Sequence, residues 1–112
     1  MTTDTPTIDL PALRAASSAA CSLLKAMANP DRLLLLCQLS QGELCVGDLE
    51  EQLGIRQPTL SQQLAVLREE GLVQTRRDGK QIFYSIASSE ALAVLQVLYT
   101  QFCAQDEEEQ NA

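Results

Sequence analysis

Four cysteines, Cys21, Cys37, Cys45 and Cys103, offer this chain most of its chemistry. A thiolate is both a nucleophile and a soft metal ligand, and its reactivity follows exposure and local charge. In a reducing compartment, thiols serve metal binding, catalysis or redox sensing more often than structural disulfides. The chain has no histidine, so imidazole is excluded as base and as ligand. Cys37 lies in the run Leu33-Leu34-Leu35-Leu36-Cys37-Gln38-Leu39. There a thiol reads as a small apolar core residue. Cys103 lies beside a polar tail and reads as exposed. Cys21 reads as packing on a first helix, and Cys45 as a spare thiol.

A second group carries hydrogen-bond chemistry. Thr59, Ser61, Gln62 and Gln63 follow Arg56 and Gln57. Arg68, Arg76, Arg77 and Lys80 come next. Short hydroxyl and amide side chains can bond base edges, while Arg and Lys reach phosphates. Alone, the four polar residues read first as an ordinary solvated face.

Both groups depend on the elements that hold them. Residues 1–10 lack periodicity and read as a disordered segment, 11–105 as one domain, and 106–112 as an acidic tail. Apolar positions predict a helix from Pro11 to about Ala28, and Asn29-Pro30 interrupts it. A second helix follows, Pro30 to Leu39. Glu43-Leu44-Cys45 reads as a short strand. Val46 to Leu53 reads as a helix closed by Gly54, and Pro58 to Glu70 as the next, closed by Gly71. Leu49, Leu53, Ile55, Leu60 and Leu64 give these two helices an apolar seam. The period then changes to two in Val73–Arg77 and Gln81–Ile86. Asp78-Gly79 between them predicts a type I′ hairpin turn. Ser88 or Ser89 opens a last helix, running to about Gln105.

Two short helices joined through Gly54 form a helix-turn-helix signal, and a basic hairpin directly after it forms a wing. The fold class is therefore mainly α (α+β), a winged helix-turn-helix with about five helices. The wing turns the polar face from a solvated surface into a reader of double-stranded DNA. The net charge of −7 does not oppose this. Arg56 to Lys80 carries five basic and three acidic residues, and four of the fifteen acids cluster at Asp106–Glu109. The local field governs docking. No segment has the roughly 20 apolar residues a membrane span needs. The N-terminal residues, with Asp4 and Asp9, lack the basic region and apolar core of a signal peptide, so no membrane role is expected and the cytoplasm is the expected location. A sulfur-carrying enzyme using the same thiols is the rival class. Without histidine, a glycine-rich phosphate loop or a convincing acid–base pair, no enzyme is expected.

These residues resemble the ArsR family of bacterial repressors over roughly Leu24 to Ala104. The likeness rests on Leu24–Arg32, Leu44–Leu49, Gln57–Leu64 and the wing with Phe83-Tyr84. It implies a homodimer joined through the first and last helices, with repression of an operator relieved by a chemical signal. It also places Cys21 at the dimer interface. A metal site common in the family uses Cys-x-Cys, but Cys45-Val46-Gly47 has glycine at the second thiol. Other members bind zinc through histidines absent here. No metal or other cofactor is expected. The contexts of Cys37 and Cys103 resemble the BigR, SqrR and HlyU group, which implies a dithiol sensor of reactive sulfur species. In that reading, bridging Cys37 to Cys103 releases DNA. Two alternatives stay open. One is a metal-responsive repressor using Cys37, Cys45 and Cys103. The other is a general oxidant-sensing disulfide switch.

Overall fold

The computed structural model describes residues 7–104. Most of the expected N-terminal segment, the acidic tail and Gln105 lie outside the described residues.

Helix α1, Leu10–Met27, starts one residue earlier than expected. Asp9 accepts a hydrogen bond from the Ala12 amide at 3.4 Å, and Pro11 fills the first turn. Helix α2, Pro30–Leu39, opens on Asn29, which accepts from the Arg32 amide at 3.0 Å. Strand β1 is only Leu44–Cys45. Helix α3, Val46–Leu53, closes at Gly54, whose φ of 71° is the left-handed value that glycine tolerates without a Cβ clash. Helix α4, Thr59–Glu69, begins after Pro58 rather than on it.

Strands β2, Val73–Asp78, and β3, Gln81–Ile86, form the hairpin. The antiparallel sheet has the order β1-β3-β2, with Leu44 opposite Tyr84 and Arg76 opposite Phe83. The hairpin corrects the expected turn by one residue. Asp78 pairs with Gln81, so Gly79 and Lys80 are the central residues. Gly79 has φ +64° and Lys80 is not in the positive region. This is the pattern of a type II′ turn, which wants glycine first. Helix α5, Ser89–Tyr99, is capped by Ser88, whose hydroxyl accepts from the Ala91 amide at 3.0 Å. The expected α-helical continuation stops at Tyr99 among the described residues. A π-helical turn, Thr100–Ala104, takes over and carries Cys103.

The core is a leucine cluster. Leu35, Leu36, Leu49, Leu60, Leu64 and Leu67 are completely or almost completely buried. Leu60, Leu64 and Leu67 repeat on one face of α4 and press it against α2. The opposite face of α4 is left to solvent. Helix α1 behaves differently. Its Leu10, Leu13 and Leu24 remain exposed, and only Ala26 and Met27 enter the core. Among the described residues no helix is long and apolar enough to cross a membrane.

Candidate DNA interface and dithiol groove

The α3–Gly54–α4 unit and the hairpin follow in the order that the sequence predicts. Thr59, Ser61 and Gln62 stand exposed on the first turn of α4. The helix dipole adds a local positive field there. Gln57 acts back on this turn, since its carbonyl oxygen accepts from the Ser61 amide at 3.2 Å and from the Ser61 hydroxyl. It shapes the helix start as a cap would.

Gln63 departs from the expected surface role. It is half-buried, and its Oε1 accepts from Arg32 Nη1 at 2.8 Å. Its carbonyl is therefore turned toward α2 rather than outward. Arg56 is exposed in the turn between the helices, and Arg68 is exposed near the end of α4, where it borders a hollow with Ser61 and Tyr84.

On the wing, Arg77 and Lys80 are exposed, and no ion pair involves them among the described residues. Arg76 is different. It makes a two-pronged pair with Glu43, Nε to Oε2 and Nη2 to Oε1, each 2.8 Å. It also lies 4.7 Å over the Phe83 ring and 3.8 Å from the Asp78 carboxylate. The hydrogen bond from Arg76 holds the Glu43 carboxyl below its usual range, and the same bond raises the guanidinium. Arg76 is thus partly neutralised within the fold.

The thiols occupy a separate region. Cys37 borders a groove of about 570 Å³ with Ser40, Gln41, Leu92, Leu95 and Tyr99. The expected core position is corrected here. Leu35, Leu36 and Leu39 take the buried face of α2, while Leu34 and Cys37, three residues apart, share the exposed one. Cys103 is exposed on the terminal turn. Partial desolvation pushes the Cys37 thiol up, and the charge of Cys103 adds to it. A charge effect of this kind requires proximity. Thr100, the first residue of the terminal turn, lines the groove with Cys37, so the turn that carries Cys103 starts at the groove.

The other thiols stand elsewhere. Cys45 is buried at the start of α3, and its Sγ donates to Asp48 Oδ2 at 3.3 Å. Cys21 is exposed on α1. No group of three potential metal ligands gathers among the described residues, so the structure gives the three-thiolate site no support.

Two residues with clear positions escape a reading of the sequence. Glu43, far from Arg76 in the chain, leaves no signal. Arg32 does leave one. A cation in the first turn of a helix opposes the helix dipole, which marks a side chain engaged elsewhere.

Comparison with known proteins agrees with this geometry. Residues 29–75 match the model of the bacterial regulatory protein arsR family. The chain is 54% identical over 100 residues to the biofilm growth-associated repressor of Agrobacterium fabrum, covering 89% of this chain and 86% of that one. The crystal structure of the transcriptional repressor BigR from Xylella fastidiosa superposes with a TM-score of 0.81 at 48% identity, covering 86% of this chain and 98% of that one. The homodimeric winged helix-turn-helix DNA-binding domain Mb0332 of Mycobacterium bovis superposes with a TM-score of 0.70 at 29% identity, covering 96% and 95%. Hairpin wing, reading helix and these relatives converge: the chain belongs to the ArsR family of bacterial regulatory proteins and is a DNA-binding transcriptional repressor of the BigR type.

Proposed function

We propose that the chain works as a homodimer on double-stranded operator DNA and lets go when reactive sulfur species bridge Cys37 to Cys103. The observation that carries this is the placement of the two thiols: Cys37 borders the groove, Thr100 of the turn that carries Cys103 lines it, and the charge of Cys103 acts on Cys37 across 66 residues of sequence. The dimer reading draws on the apolar surface left on α1 and α5, including Leu13, Leu24 and Val97. A contiguous exposed apolar face marks an association surface. The homodimeric Mycobacterium bovis domain supports it. Thr59, Ser61 and Gln62 read base edges. Arg56, Arg68, Arg77 and Lys80 hold phosphates. A repressor with these free thiols works in the reducing cytoplasm.

The chemistry balances with a persulfide as the only other reactant. Cys103, exposed on the terminal turn, attacks the outer sulfur of RSSH. A new S–S bond forms on Cys103, the R–S–S bond breaks, and RSH leaves. The Cys37 thiolate then attacks the inner sulfur of that persulfide and expels hydrogen sulfide. Two protein thiols and RSSH become a protein disulfide, RSH and hydrogen sulfide. The thiols are oxidised and the sulfane sulfur is reduced. Each sulfur retained in a longer bridge consumes one further RSSH. The bridge joins α2 to the terminal turn after α5, while α5 supplies part of the association face. A small repacking there alters the distance between the two reading helices, which must match half-sites about 34 Å apart.

The decisive experiment measures DNA affinity of the reduced protein, then repeats it after persulfide, peroxide and a thiophilic metal. Persulfide should weaken operator binding about tenfold or more, within the usual coupling range of about 1–3 kcal/mol. Cys37→Ser and Cys103→Ser should stay bound. Intact-mass spectra should show the Cys37–Cys103 bridge. Unchanged affinity in the bridged protein rejects the sensor. Release by metal alone favours the metal reading, and release by peroxide alone favours the oxidant switch.

A further inference from the structure

Arg32 stands where three helices meet. Its Nε donates to the Ala26 carbonyl at 2.6 Å and its Nη2 to the Lys25 carbonyl at 3.3 Å. Both carbonyls belong to the last turn of α1, where a cation complements the dipole. The third arm, Nη1, donates to Gln63 Oε1 at 2.8 Å, thirty-one residues along the chain. The Arg32 backbone amide is itself held by the Asn29 cap. One planar guanidinium therefore ties the end of α1, the start of α2 and the first half of α4.

We propose that Arg32 is a positioning residue for operator recognition, setting the pitch of α4 against α1 through Gln63. The physical case rests on three points. A guanidinium donates in a fixed fork, so three acceptors on one fork also fix the angles between the segments that carry them. Gln63 follows Ser61 and Gln62 directly, so a rotation of α4 about its axis that breaks this bond also turns those side chains. Helix α1, with its exposed leucines, is the segment against which a dimer would measure the spacing of its two readers. Leu60, Leu64 and Leu67 bury α4 against α2, but apolar packing is non-directional and tolerates small rotations. The polar arm supplies the angle. Arg32 itself touches no DNA in this reading, and Gln63 reads no base.

The inference rests on the operator-binding reading, and the two fail separately. If the wild-type protein selects no sequence from a random duplex pool, that reading fails. The Arg32 role is still tested in the DNA-free protein by hydrogen exchange. In Arg32→Lys, which keeps the charge but not the fork, amides 59–64 should exchange several-fold faster while those of α3 are unchanged. With a selected operator, Arg32→Lys should lower affinity about tenfold and leave affinity for a scrambled duplex within about twofold. The slope of affinity against salt should stay the same, because no phosphate contact is lost. Gln63→Ala should lower operator affinity comparably, weaken discrimination at several base pairs rather than one, and add little in the double variant. If Arg32→Lys fails to fold, Gln63→Ala decides by the same exchange and discrimination readouts.

Three results overturn the proposal. The first is unchanged exchange at 59–64. The second is equal loss on operator and scrambled DNA with a shallower salt slope, which makes Arg32 a phosphate contact. The third is additive losses with discrimination relaxed at a single base pair, which makes Gln63 a direct reader.

Discussion

Arg76 of the wing and Glu43 of the α2–β1 loop form a two-pronged ion pair, with both hydrogen bonds at 2.8 Å. The loop that carries Glu43 follows Gln41, a residue of the groove beside Cys37. A cation expected to face DNA is thus partly committed to the segment that leads from the thiol groove.

Replacing Glu43 by glutamine should release that commitment. Affinity of Glu43→Gln for a non-specific duplex should rise about two- to fivefold at low salt. The slope of log affinity against log salt should steepen by up to about one. Titrations at three or more salt concentrations check this. An unchanged slope would mean that Arg76 stays off DNA even when freed. Acid should act in the same direction. The Glu43 carboxyl lies below its usual range because Arg76 donates to it. The pair is therefore intact above the ordinary carboxylate range and is lost only as pH falls through the lowered value. Down to that point, non-specific affinity of the wild type should remain below that of Glu43→Gln, and the two should converge beneath it.

The Cys37 thiol gives a second pH-dependent prediction. Partial desolvation raises it, with the charge of Cys103 adding to the rise. Removing that charge in Cys103→Ser should lower the Cys37 value without restoring it fully, since the desolvation remains. Alkylation of Cys37 should then show its half-maximal rate at lower pH in Cys103→Ser than in the wild type, but still above that of a free thiol in an unfolded peptide. Rates measured by mass spectrometry over a pH series give both curves. Identical curves would place the two thiols too far apart to interact.

Much of this layout is legible in the sequence, and the failures have physical causes. The seam Leu49, Leu53, Ile55, Leu60 and Leu64 fixes the helix pair, and all five are buried or half-buried. The hairpin is visible in its period of two, but its turn slips by one residue. Asp-Gly satisfies a type I′ turn at Asp78-Gly79, and glycine equally satisfies the first position of a type II′ turn at Gly79-Lys80. Local residue preference does not choose between them; the ladder from Val73 to Asp78 does. Cys37 is hidden by the leucines around it. Helical spacing distinguishes it, because Leu35, Leu36 and Leu39 define one face and Cys37 falls off it. Gln63 cannot be separated from Ser61 and Gln62 by type, because its partner Arg32 is remote in sequence. The π turn at Thr100–Ala104 carries no glycine or proline to announce it.

The core of α4 should tolerate little loss. Leu60 and Leu67 are fully buried, facing the leucines of α2. Leu60→Ala should cost about 2–5 kcal/mol, the transfer term plus the cavity it leaves. For a domain this size, whose total stability is about 5–15 kcal/mol, that is a large share. Urea unfolding with an unchanged slope and a lower midpoint would register it. A loss under about 1 kcal/mol would mean that the site collapses around the cavity.

The exposed leucines of α1 give the last test. Leu13 and Leu24 are 49% and 55% exposed, and nothing else in the described fold covers them. A monomer that leaves such a stripe in water gains by pairing it, at about 25 cal/mol for each Å² of apolar surface buried. If α1 joins two copies, Leu13→Glu with Leu24→Glu should place like charges along the contact. Sedimentation should then show a shift from dimer to monomer at micromolar concentration. Far-ultraviolet circular dichroism should change little, because both leucines lie outside the core of the single chain. Operator affinity should fall by far more than affinity for a single half-site, since only the dimer engages both halves at once. A variant that stays dimeric would move the interface off α1 and onto the face of α5 that carries Val97.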